Sequence, residues 1–485
     1  MGLTIASSLK FCLQVIGASW FVFPTFVFSV AIPESVDVVV VGAGLAGLTA
    51  AKDLLAGGKS VLILEARNRV GGKILNRPLK NGGVTEVGAE FVGPTQDKEL
   101  GLKTFTTYNE GSNILYRSNS RTEYVSDPPL GVPPVDLLAL QQVAAAQAQL
   151  DAWAGEINVT APWMHPKAKD WDNITFAQYI ALSAFFPDAK FLLDIVSKTL
   201  FAAESKEISL FYVIQYIASA GNETTKGSLS RLTSTPGGSQ ESRVEGGTGL
   251  IPQRLAEKVG LNRIAFNAAV ACITKTAAGY EIKSKAGTIK AKKIILALSP
   301  PLINKIAFSP ALPFARQQLN GLTKMGSIGK GIAVYDSPFW RASKLNAQVI
   351  SDKGTTRATF DNTPVDASYG ALMGFILGDQ MRAFDAKSEA EIQTAIVSDY
   401  VRYFGDKAAK PTEFIVQRWD LEGFSLGAPV AVAPPRVLSI YGPALRKPVG
   451  GIHFAGTETA DYWVGYMDGA IRSGQRVAKE ILALL

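Results

Sequence analysis

The segment that most constrains this chain lies near its start. There the apolar run Val36–Val41 passes directly into Gly42-Ala43-Gly44-Leu45-Ala46-Gly47, and a second apolar run, Ser60–Leu64, ends in Glu65. In order, this reads as a strand, a glycine turn, a helix, a second strand and an acid. The three glycines permit a tight turn, a close approach of backbone to a pyrophosphate, and close packing of the helix. Glu65 stands where a carboxylate accepts hydrogen bonds from a ribose. The pattern predicts a Rossmann-like α/β dinucleotide-binding unit.

Composition narrows the remaining chemistry. A chain of 485 residues with 47% apolar and 19% charged residues has room for two domains with large cores and little disorder. The net charge of +7 is modest and its Lys and Arg are scattered, so no nucleic-acid surface is expected. The only histidines are His165, in the Pro-rich loop Ala161–Pro166, and His453, in a short strand. Both read as structural, and no metal site can be built from them. A Ser-His-Asp triad would have to rely on one of the two. The cysteines are Cys12, in the N-terminal segment, and Cys272, which reads as a buried strand residue, so no intrachain disulfide is expected.

Residues 1–35 read as a targeting segment. Lys10 is the only charge before Glu34, and Phe11–Ile32 is a 22-residue run without a charge. One reading is a cleaved secretory signal with Ser29-Val30-Ala31 at the cleavage site; the other is an uncleaved membrane anchor, since the run is long enough to span a bilayer. Either places the body of the protein in the secretory lumen or outside, secreted or membrane-anchored. Sequons at Asn158, Asn173 and Asn222 are compatible with glycosylation there.

Three further blocks select the cofactor: Glu65-Ala66-Arg67 through Gly71-Gly72-Lys73, Glu86-Val87-Gly88-Ala89-Glu90-Phe91-Val92-Gly93-Pro94-Thr95-Gln96, and the closing segment Gly451–Leu485. With the first motif they resemble the FAD-dependent amine oxidase family, the monoamine oxidases and their fungal relatives, with gaps from Val36 to Leu485. The resemblance implies an FAD domain assembled from 36–103, 224–319 and 422–485, and a discontinuous substrate domain from 104–223 and 320–421. In that family the turn Glu245–Leu250 and the Val270 region return the chain to the adenosine half of FAD. The implied cofactor contacts are Gly42, Gly44, Leu45, Ala46, Gly47, Glu65, Ala66, Arg67, Gly71, Gly72, Lys73, Val270, Trp419, Gly456, Thr457, Glu458, Gly465, Tyr466 and Met467.

The same resemblance assigns the chemistry, in which a hydride equivalent passes from the carbon beside an amine nitrogen to flavin N5, with O2 as the final acceptor. Lys330, in Met325–Lys330, matches a lysine that contacts N5 through a water, and the apolar run Gly331–Tyr335 argues that its side chain points inward. Trp419, Trp463 and Tyr466 match aromatic residues that pack on the flavin or line the amine site. Ala428 stands where relatives carry the flavin-linking cysteine and Pro429 where they carry a tyrosine, so the FAD is expected to be non-covalent and the aromatic cage half open. Lys73 replaces an arginine, keeping the charge and losing the planar fork. The passage from Gln96 to Leu102 lacks most of a helix. Other readings left open are an L-amino-acid or polyamine oxidase, a flavin desaturase, and a flavoprotein weakened by the short segment after Gln96. A small-molecule amine and O2 are the expected partners, with membrane contact through the N-terminal segment and a homodimer as further readings.

Overall fold

The computed structural model describes residues 31–93, 100–125 and 133–485. The N-terminal run up to residue 30, the cleavage-site reading and the short segment after Gln96 lie outside the described residues.

Four consecutive valines explain the centre of the fold. In Ser35–Val41, Val38, Val39 and Val40 have no exposure. β-Branched side chains suit a strand covered on both faces. Val38 and Val40 pack on the helices Leu45–Ala56, Leu250–Val259 and Met467–Leu482, whereas Val39 and Val41 face Ile273, Ile282 and Ile289. The strand pairs in parallel with Val61–Leu64 on one side and Gly287–Ala297 on the other. The long strand Gly287–Ala297 then pairs antiparallel with Gly279–Ser284 and, near its end, parallel with Ile452–Ala455. The eight-stranded sheet thus draws on both ends of the chain and on its middle. Strands ending at Val41, Leu64, Ala297 and Ala455 all finish along one edge, where open α/β sheets bind ligands.

A second, seven-stranded sheet runs in the order Glu413–Arg418, Ile328–Tyr335, Gly370–Leu377, Ala358–Asp361, Leu345–Ser351, Ser112–Arg117, Ser120–Val125. Its second strand, Ile328–Tyr335, is buried throughout, so Lys330 faces inward as its apolar neighbours imply. A helical layer covers this sheet. The stretch Phe191–Ala220 falls in two helices, Pro187–Phe201 and Leu210–Ser219. Ala202 takes a left-handed conformation (φ 52°) that ends the first helix, and the Ser209 side chain caps the second. Cys272 lies in the strand Val270–Thr276 but is half-buried; of that strand only Ile273 is fully buried. Among the described residues, no helix is long and apolar enough to cross a membrane.

Candidate active site

The first glycine turn serves three separate geometric needs. Gly42 has φ 102°, which a branched residue resists, and a Cβ on Gly47 would lie 2.0 Å from the Gly42 carbonyl oxygen. A Cβ on Gly44 would meet nothing within 4 Å, because that side is open to a cavity. Gly44 is the N-cap of Leu45–Ala56 and carries no side chain to cap it. The amides of Leu45 and Ala46, which have no acceptor within the helix, therefore face the same opening. A second helix, Met467–Leu482, also begins at the cavity, through Met467 and Ala470.

Glu65 closes the turn. One carboxylate oxygen accepts the Ala43 amide at 2.7 Å and the other the Arg67 amide at 2.9 Å. The Ala268 amide donates to the Glu65 carbonyl, which brings Val270 to the cavity wall. The Arg67 guanidinium bonds Ser425 Oγ at 2.7 Å and lies 3.4 Å from Glu422. Lys73 reaches Ser299 Oγ at 3.3 Å and Glu458 at 3.9 Å; burial lowers its pKa, and Glu458 partly opposes that.

This cradle opens into one cavity of about 610 Å³. Every residue named above as a cofactor contact lines it except Gly47, which is held behind by its packing on Gly42 and Val40. Lys330 lines it as well. Its Nζ donates to Glu90 Oε2 at 2.8 Å and to the Glu86 carbonyl at 3.1 Å, and it lies 5.5 Å from the centre of the Phe375 ring. Trp419 is buried at the wall, with Nε1 donating to the Val87 carbonyl at 2.9 Å. Trp463 does not line the cavity; it packs edge-on behind Tyr466, with ring centres 5.2 Å apart. Ala428 and Pro429 are both at the wall, and among the described residues no cysteine or histidine is. His165 stacks on Trp171 and His453 pairs with Glu480, which leaves both structural.

Sequence reasoning missed two features. Tyr216 lines the cavity with its ring centre 6.1 Å from that of Tyr466, and Gly465 leaves the room it needs. Burial pushes the Tyr216 hydroxyl well above its ordinary pKa, so it is a neutral phenol. The available signal was that Leu210–Ser219 is apolar all round yet carries Tyr212 and Tyr216 one turn apart. The second feature is a buried group of four charges, Glu86, Glu90, Arg243 and Lys330. Arg243 donates to Glu86 Oε2 at 2.8 Å, to Asn362 Oδ1 and to the Thr363 carbonyl. Burial and the neighbouring Glu90 raise the Glu86 pKa, with Arg243 opposing.

A dinucleotide cradle on one sheet that opens into a chamber across a second sheet is the arrangement of an FAD-dependent oxidoreductase. The family described as flavin-containing amine oxidoreductase matches residues 45–482, and the chain belongs to it. It is 37% identical over 459 residues to AofH of Mycobacterium tuberculosis, assigned as a flavin-containing monoamine oxidase, covering 93% of this chain and 98% of that one. It is 33% identical to the human flavin-containing amine oxidase B, covering 92% of this chain and 86% of that protein. Among solved structures, cyclohexylamine oxidase from Brevibacterium oxydans matches with a TM-score of 0.86 at 30% identity, over 93% of this chain and 99% of that one. Putrescine oxidase bound to putrescine matches with the same score, identity and coverage. The protein is therefore a flavoprotein oxidase of amines. The residues fit FAD: open space beside Gly44, two helix N-termini facing one cavity, and lone pairs left on Glu65.

Proposed function

We propose that this enzyme oxidises primary amines bearing a long apolar or aromatic group, with O2 as acceptor, and holds its FAD non-covalently. FAD bound in the cradle supplies the two-electron acceptor that takes a hydride equivalent from the carbon beside the nitrogen and passes the electrons on to O2. The amine becomes an imine, which water hydrolyses to an aldehyde and ammonia, and O2 becomes H2O2. The protein's own task is to hold an uncharged amine against the flavin and to exclude water. Trp419, Tyr466 and Tyr216 present aromatic faces for that purpose. Tyr216 supplies a second phenol that the Pro429 position lacks.

The observation that carries the substrate class is the composition of the cavity away from the cradle. It crosses the second sheet from Lys330 past Phe375, Phe360 and Ile350 to Asn113, under Leu192, Leu193 and Val196 of the helix Pro187–Phe201. Four strand-to-strand steps at about 4.8 Å each give a length of roughly 19 Å. Among the described lining residues the carboxylates are Glu65, Glu90 and Glu458, and each is already bonded inside the protein. None is free for the distal ammonium of a polyamine. Among the described lining residues the one guanidinium, that of Arg67, is held by Ser425 and Glu422 near the cradle, so an amino-acid carboxylate finds no guanidinium fork in the chamber. A peroxide-coupled screen across aryl-alkyl, alkyl, polyamine and alkaloid-type amines and L-amino acids tests this; a preference for polyamines or amino acids would refute it.

The division of the chain into an FAD domain of 36–103, 224–319 and 422–485 and a substrate domain of 104–223 and 320–421 is supported by how the two sheets draw their strands. We also infer passage through the secretory pathway from the uncharged run Phe11–Ile32, with glycans on the exposed Asn158 and Asn173. A shift in electrophoretic mobility after glycosidase treatment of the native protein tests that.

A further inference from the structure

The four buried charges do more than fill a polar hole. Glu86 and Arg243, with Asn362 and Thr363, already make a neutral bonded group. Lys330 and Glu90 form a second ion pair beside it, at 5% and 1% side-chain exposure. A buried ion pair seldom adds stability over apolar packing, because both ions lose their hydration. Its place at the cavity wall gives it another use.

The backbone fixes Glu90 independently of Lys330. The Val87 and Ala89 amides donate to the carbonyls of Leu75 and Lys73, Thr248 Oγ1 bonds the Ala89 carbonyl, and Trp419 Nε1 bonds the Val87 carbonyl. A Cβ on Gly88 would lie 2.3 Å from the Lys73 carbonyl oxygen, so this register needs a glycine there. The charged groups facing Lys330 are Glu86, Glu90 and Arg243; the flanking strands place the uncharged Phe375 and Gln417 beside it. An ammonium has three N–H donors, and Glu90 and the Glu86 carbonyl accept two of them. The third is left for a ligand in the cavity.

We propose that Glu90 is the positioning residue for Lys330: it holds the side chain at the cavity wall and turns the remaining N–H toward the flavin and amine. This rests on the reading that Lys330 serves the oxidation. Glu90→Gln preserves shape and one acceptor but leaves a buried ammonium without its carboxylate, so the folded protein then favours the neutral amine. The unfolded chain holds that proton until about pH 10. The variant is consequently least stable, relative to wild type, near neutral pH, and the deficit shrinks as the pH rises.

The test compares wild type, Glu90→Gln, Glu90→Asp, Lys330→Met and the Glu90→Gln/Lys330→Met double variant, each loaded with FAD. Unfolding midpoints are followed from neutral to alkaline pH, and stopped-flow traces separate anaerobic reduction by amine from reaction with O2. The Glu90→Gln deficit is expected to narrow by about 2–4 °C or more over that range. Its O2 reaction should change pH dependence by about one unit or more. Glu90→Asp, which keeps the carboxylate, should show a smaller deficit than Glu90→Gln, and the double variant should show no narrowing. A Glu90→Gln stability profile parallel to wild type overturns the proposal. Unchanged half-reactions in Lys330→Met, with the narrowing still present, instead overturn the reading of Lys330 and with it the functional half of the proposal.

Discussion

Gly44→Val separates cofactor binding from folding, and its neighbour Gly47 supplies the contrast. Gly44 has φ −74° and ψ 176°, an extended conformation open to valine, and an added Cβ meets nothing within 4 Å. The fold should tolerate the change at a cost of about 1 kcal/mol, mainly from a poorer helix N-cap. The open space, however, is the space a pyrophosphate needs to reach the Leu45 and Ala46 amides. Losing two hydrogen bonds to a charged group, at about 1.5–3 kcal/mol each, removes about 3–6 kcal/mol of binding. That weakens FAD affinity by roughly two to four powers of ten. Gly47→Ala acts oppositely: its Cβ would lie 2.0 Å from the Gly42 carbonyl oxygen, so helix and strand must separate and the fold itself should lose about 1–3 kcal/mol or more. Titration of flavin-free protein with FAD, followed by quenching of flavin fluorescence, gives affinity; thermal unfolding of the same samples gives stability. Gly44→Val with FAD affinity within about threefold of wild type, equivalent to less than 1 kcal/mol, would refute the placement of the pyrophosphate.

Because no cysteine or histidine among the described residues lines the cavity, acid or heat denaturation should release all the flavin into the supernatant as FAD; colour retained on the precipitate would contradict this. Glu65→Ala should weaken FAD retention by about 1–3 kcal/mol through lost charge-assisted bonds, read from the same titration. Tyr216→Leu should leave FAD content unchanged while raising KM for aryl-alkyl amines, and an unaltered KM would remove Tyr216 from the amine site. Burial raises the Glu86 carboxyl above its ordinary pKa. A carboxyl raised in this way favours the fold below its unfolded value of about 4.3, and that contribution is lost as the pH rises through the folded value. Glu86→Gln should flatten the stability profile across that window, as unfolding midpoints in a pH series will show.

The dinucleotide unit was legible because its signals are local. Val36–Val41, the glycine turn and Glu65 sit within one supersecondary unit, and each glycine answers a nearby steric demand. The inward direction of Lys330 was legible for a similar reason, since its apolar neighbours fix the face of one strand. The ion pair that defines its surroundings was not, because Glu90 and Lys330 are 240 positions apart and meet only through the pairing of residues 87–89 with 73–75. Tyr216 faces Tyr466 across two elements distant in sequence, and only the helix's uniform burial hinted at it. Trp463 was read as a flavin or amine contact from its match to the aromatic residues of the resembled family. It has a left-handed backbone, φ 55°, and its ring packs edge-on against Tyr466 without lining the cavity. Exposure of Cys272 was misjudged because how much of a strand is covered depends on what packs on it, and here only Ile273 is fully buried.

The proposed reaction needs one cavity to bring an amine, FAD and O2 together. The most direct measurement mixes the purified, FAD-loaded protein anaerobically with an aryl-alkyl primary amine and then admits O2. Loss of the oxidised-flavin absorption band is expected on mixing, with its full return on admitting O2 and one H2O2 and one aldehyde formed for each flavin reduced and reoxidised. A flavin band that no amine in the panel bleaches would contradict it.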